Sequence, residues 1–129
     1  MAYIYANLNP IRRNTSDCVI RALALVMNKS WEEVYMELAN EGLALYDMME
    51  VNSTWGNYLK RNGFVQAVLP NTCPLCYTLK DFCRDFPHGE YIVATGSHVI
   101  AVVDSDYYDT SDSGNEIVTY YFYKEKDNV

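Results

Sequence analysis

The chain has 129 residues, half of them hydrophobic, with 17 acidic against 10 basic side chains and a formal charge of −7. That length predicts a single domain over residues 1–129, large enough for a real core but without room for a second one. The acidic balance argues against nucleic acid, whose phosphates select basic patches, and gives anionic lipid no cationic handle.

In chain order, Met1–Asn7 lacks the basic start and long apolar run of an export signal, and no apolar run reaches membrane-spanning length. Four cysteines without an export signal read as reduced thiols, which points to the cytoplasm. Tyr3-Ile4-Tyr5 suits a short strand, and the twelve tyrosines predict tyrosine-rich strands generally. Asn7-Leu8-Asn9-Pro10 reads as a turn. Asp17 or Ser16 can then cap a helix that opens on Cys18 and stays apolar almost throughout, with Arg21 its only charge. Such a helix is buried, and a thiol in its first turn meets unpaired N–H groups and the positive end of the dipole, both of which favour the thiolate. Arg21, one turn on, is expected to pair with Asp17 or a loop aspartate.

Ser30 and Glu33 form a capping box for a second helix carrying Trp31, Val34, Tyr35 and Leu38 on one face. Residues 42–50 are compatible with a further turn or two of helix. Asn52 or Ser53 can cap a third helix with Trp55, Tyr58 and Leu59 inward, stopped by Asn62-Gly63. Residues 64–69 read as extended. Cys73-Pro74-Leu75-Cys76 lies in a loop, and with Cys83 and His88 makes a loose series open to zinc, a thiol pair or no chemistry. No cofactor or metal is assigned to it, because Cys83 falls on the apolar stripe of a fourth helix that Thr78 caps. From Tyr91 onward the period becomes that of strands: 91–95, 98–103 and 117–123, separated by the Asp104-Ser105-Asp106 turn and an acidic loop. Helices first and antiparallel strands afterwards indicate an α+β domain.

With only two histidines, the search for a base to activate Cys18 is short. His88 sits in the turn Pro87-His88-Gly89. His98 opens an apolar strand after Gly96-Ser97 and needs a polar partner if buried. An acid on the returning strand can fix the tautomer of His98 and steady its imidazolium. Asp109 is favoured for this, while a tight hairpin around Ser105 would put Asp112 more nearly opposite His98.

Asp17-Cys18 at the head of a buried helix, the later Gly96-x-His98-Val99-x-Ala101-Val102 strand and an acid in Tyr108–Gly114 resemble the papain-like cysteine peptidase pattern. The nearest form is the compact bacterial and phage proteins similar to bacteriocin-leader (C39-like) peptidases. The resemblance implies a minimal papain-like fold, with a helical half carrying Cys18 packed on a C-terminal antiparallel sheet carrying His98. It implies a cysteine hydrolase, peptidase or amidase, with Cys18, His98 and Asp109 as the catalytic triad acting on a peptide or protein substrate. That family places an oxyanion-hole glutamine just before the cysteine. The only glutamine here is Gln66, so Asn14 is the nearest amide for that role. Two other readings stand beside it: a silent papain-like domain that binds a protein partner, as a phage-type adaptor or inhibitor would, and a deamidase or transglutaminase using the same thiol.

Overall fold

The computed structural model describes residues 1–70 and 75–124. Among these, the chain runs β1 (Tyr3–Tyr5), α1 (Cys18–Met27), α2 (Trp31–Leu45), α3 (Asn52–Arg61), β2 (Phe64–Val68), α4 (Leu79–Asp85), β3 (Glu90–Thr95), β4 (Val99–Val103), β5 (Asp106–Asp109) and β6 (Val118–Lys124). Four helices and one six-stranded sheet make this an α+β fold. The sheet order is β1-β5-β4-β3-β6-β2.

The sheet is mixed, not the purely C-terminal antiparallel sheet expected. β1 lies parallel to β5, with Tyr3 opposite Tyr107 and Tyr5 opposite Asp109, and β2 closes the far side against β6. The reason is edge satisfaction: without these partners, β5 and β6 would each present a row of unpaired backbone groups. The remaining pairs are antiparallel. β4 and β5 meet through a two-residue turn in which Asp104 and Ser105 both have positive φ, the conformation that matches strand twist in a tight hairpin.

The inner strands β3 and β4 are apolar at nearly every position because both faces of the sheet are covered. Ile92, Ala94, Val99 and Ala101 pack with the helices of the first half, through Leu23, Val34, Leu38, Trp55 and Leu59. Val93, Ile100 and Val102 face the other way onto Leu79, Phe82 and Cys83 of α4. Cys83 is therefore a core residue, and burial pushes its thiol up to about 11. Cys73 lies outside the described residues, and no group of three metal-ligating side chains occurs among those that are described.

Local chemistry sets the helix ends. Ser30 and Thr78 form capping boxes with Glu33 and Asp81. Asn28 and Tyr46 end α1 and α2 in the left-handed conformation, and Gly63 does the same just beyond α3. Two caps differ from expectation. Asp17 holds the cap position of α1 without bonding its free N–H groups, and Val51, not Asn52 or Ser53, precedes α3. In both places the polar side chain has a stronger partner elsewhere: Asp17 meets Arg21, and Asn52 accepts from Trp55 Nε1 at 3.1 Å. No helix among the described residues is long and apolar enough to cross a membrane.

Candidate active site

Three chain segments converge where α1 begins. α1 lies across the face of β4 and β3, so its first residue, Cys18, comes to the mouth of β4, where His98 sits immediately before Val99. β5 runs antiparallel to β4 and ends on Asp109, so the last residue of one strand adjoins the residue before the other. Sequence separations of 80 and 11 residues are thus closed by one helix–sheet crossing and one hairpin.

His98 Nε2 lies 2.6 Å from Asp109 Oδ2, and the His98 side chain is hydrogen-bonded to Cys18. With Nε2 engaged by the carboxylate, Nδ1 is the ring nitrogen left for the sulfur. Asp109 is 2 % exposed and held from every side. Ser113 Oγ donates to Oδ2 at 2.8 Å, the Thr110 N–H donates to Oδ1 at 2.7 Å, and Arg21 Nη1 approaches Oδ1 at 3.4 Å. Its backbone is pinned too, by the Ala6 N–H and the Tyr3 hydroxyl donating to its carbonyl.

Charge alternates along this constellation. Asp17 Oδ1 accepts from Arg21 Nε at 2.8 Å, Arg21 reaches on to Asp109, Asp109 to His98, and His98 to Cys18. Each buried charge therefore has an opposite neighbour, the condition under which burial of ions is tolerated. The protonation states follow. Burial opposes the Cys18 thiolate, but hydrogen bonds from His98 and the Val99 N–H, with the His98 and Arg21 charges, outweigh it and lower the thiol below its ordinary value. Asp109 and then Cys18 raise His98, against burial, to about 10. Burial likewise opposes the Asp109 carboxylate, yet His98, Ser113 and the Thr110 N–H hold it below the usual range. Both shifts favour the thiolate–imidazolium form of the pair.

The pair is not sealed. Cys18 and His98 are both half-buried and line a cleft of about 240 Å³ with Ser16, Glu50, Asn52 and Thr95. The exposed Gly96 and Ser97 form its rim beside His98. The chain matches no family model, no curated protein and no solved structure.

Two residues lie elsewhere than the sequence suggests. Asp112, the alternative acid, accepts from the Tyr107 hydroxyl at 2.6 Å and from the Gly114 N–H at 3.0 Å, and makes no bond to His98. β5 stops at Asp109, so the simple register that favoured Asp112 does not extend that far. Asn14 is exposed and does not line the cleft. The segment before Cys18 winds around Asn9 instead, whose Oδ1 accepts from the Ile11 and Arg13 N–H groups and whose Nδ2 donates to Asp17 at 3.3 Å. The amide that does line the cleft is Asn52. Its Oδ1 is occupied by Trp55 Nε1, which leaves its NH₂ as the donor end. Ser113 and Asn52 had no local sequence signal for these positions. His88 is exposed and distant in role, with its carbonyl accepting from Tyr91.

Proposed function

We propose that the protein is a cysteine hydrolase of the compact papain-like kind, acting on a peptide, isopeptide or amide carbonyl. The observation that carries the reading is the Cys18–His98–Asp109 constellation, placed at an open cleft and electrostatically biased to the ion pair. Cys18 sulfur attacks the carbonyl carbon, forming the C–S bond and moving negative charge onto oxygen. The Cys18 backbone N–H, free at the start of α1, and the Asn52 NH₂ are the donors for that oxygen. Collapse breaks the C–N bond, and the His98 Nδ1 proton passes to the leaving nitrogen. Water then attacks the thioester and gives a proton to neutral His98. The C–S bond breaks, the acid leaves, and thiolate and imidazolium return. Asp109 stays ionised throughout and keeps Nδ1 aimed at sulfur.

The test uses an activated ester, p-nitrophenyl acetate, with mass mapping of acetylated cysteines. The reading expects a transient acetyl group on Cys18, with turnover that Cys18→Ser and His98→Ala each abolish. Turnover that survives in Cys18→Ser, or acetylation no faster at Cys18 than at the exposed Cys76, would contradict it.

A further inference from the structure

α2 is apolar on two sides. Val34 and Leu38 are buried in the core, where α2 packs against α1 and α3. Met36 and Leu43, a heptad apart, stand on the opposite side of the helix with Ala39 between them. Met36 is 59 % exposed and Leu43 71 %, and just beyond the helix Tyr46 and Met48 are 95 % and 62 % exposed. Single apolar residues scattered over a surface need no explanation, but this spacing makes a stripe of the kind that receives another helix. Tyr46 adds a second anomaly. It closes α2 at φ 53°, a left-handed conformation that glycine or asparagine adopts at less cost. Its side chain makes no hydrogen bond or ring contact among the described residues, so nothing within the fold calls for a tyrosine there.

Charge decides what such a stripe can receive. Between Lys29 and Lys60 the sequence carries six acids and no lysine, arginine or histidine, against −7 for the whole chain. Glu37 and Glu41 are paired with Lys29 and Arg61. The other four are exposed and have no ion-pair partner among the described residues: Glu32 and Glu33 before Met36, Asp47 and Glu50 beyond Leu43. The apolar stripe is thus acidic at both ends. A second copy of the same face would bring acid against acid in either orientation. Anionic lipid and nucleic acid are repelled in the same way. What fits is a helix with an apolar stripe of its own and lysines or arginines at both ends. From Met36 to Tyr46 the stripe runs about 15 Å at 1.5 Å per residue, or about three turns of such a helix. The unbranched Met36 and Met48 side chains adapt readily to the partner's surface.

We propose that the outer face of α2, from Met36 to Met48, docks a basic amphipathic helix of a partner protein. Met36, Leu43, Tyr46 and Met48 do not line the cleft of Cys18, so the proposal stands independently of the hydrolase reading. The probe is a fluorescein-labelled peptide of Leu, Ala and Gln, with leucines at helical spacing and a pair of lysines at each end. One control has its leucines shuffled off a common face, and another has glutamates in place of the lysines. Fluorescence anisotropy at physiological salt should show the striped lysine peptide binding about tenfold or more tighter than either control. Every substituted side chain below is exposed, so the variants should fold. Met36→Gln with Leu43→Gln should weaken binding about tenfold or more. Glu32→Lys with Asp47→Lys should turn the preference from the lysine to the glutamate peptide. Tyr46→Gly relaxes the helix end, so it should keep the wild-type melting temperature while weakening binding several-fold, which a purely structural tyrosine would not do. Equal binding of striped and shuffled peptides, or affinities that these variants leave unchanged, overturns the proposal. A wild-type dimer in sedimentation that Met36→Gln with Leu43→Gln dissociates overturns it too, by giving the face to a second copy. So does adsorption to phosphatidylcholine vesicles that the same variant abolishes, which gives the face to a membrane.

Discussion

Replacing Asp109 by Asn keeps the size of the side chain and a carbonyl oxygen facing His98, but removes the charge. A pair of unit charges at the 2.6 Å separation seen here attracts by about 6 kcal/mol at an effective dielectric near 20. Desolvation offsets a large part of that, and about half remains as a working figure. At about 1.4 kcal/mol per tenfold, some 3 kcal/mol is about a hundredfold in the balance between ion pair and neutral pair. His98 should fall from about 10 toward its ordinary value of 6.5, and the Cys18 thiol should rise. The sign is testable through pH. In the wild type, iodoacetamide labelling of Cys18 should hold a plateau through neutral pH and fall only as acid protonates the thiolate. In Asp109→Asn the plateau should vanish, labelling at neutral pH should drop about a hundredfold, and the rate should climb with pH as for an isolated thiol. Circular dichroism checks that the variant is folded. A folded variant with a neutral-pH rate within threefold of wild type would refute the reasoning.

Arg21→Met leaves Asp17 a buried carboxylate without its cation and takes the more distant cation from Asp109, which keeps His98, a loss of about 3–5 kcal/mol. Both carboxyls are held below their usual range when folded, so the stability they contribute is present at neutral pH and fades as pH falls through the folded values. The melting deficit of Arg21→Met should therefore be largest at neutral pH and shrink in acid; a pH-independent deficit would contradict the pairing. Cys83, fully buried with its thiol pushed up to about 11, should stay unlabelled by iodoacetamide until the protein is denatured. Gly42→Ala puts a Cβ 2.6 Å from the Asp47 carbonyl oxygen. Alanine gains about 1 kcal/mol in an exposed helix, but crowding this backbone costs about 1–3 kcal/mol, so thermal denaturation should show a net loss. A gain in melting temperature would mean that the loop after α2 yields freely.

The two ends of the thiol–imidazole pair were legible because each is a local anomaly: a thiol at the head of an apolar run, and an imidazole at the mouth of an apolar strand. Capping boxes at Ser30 and Thr78 were equally local and read directly. What stayed hidden depends on contacts distant in sequence. Only the winding of residues 9–17 around Asn9 reveals that Asn14 faces solvent, and only the docking of α3 brings Asn52 to the cleft that Cys18 lines. Asp109 and Asp112 could not be separated without knowing that β5 ends at Asp109. The parallel pairing of β1 left no periodic trace, since three residues cannot declare a partner. Tyr35, on the helical stripe with Leu38, read as core, yet it is 42 % exposed and walls an apolar cavity.

If His98 and Asp109 stabilise the Cys18 thiolate, Cys18 should ionise below the ordinary thiol range. The direct measurement is the ultraviolet absorbance of the thiolate across a pH titration, taken as wild type minus Cys18→Ser. The Cys18 signal should already be present at neutral pH and be lost only in acid, and His98→Ala should move its onset to higher pH. A Cys18 signal that appears only in the ordinary thiol range, about 8.5, would contradict it.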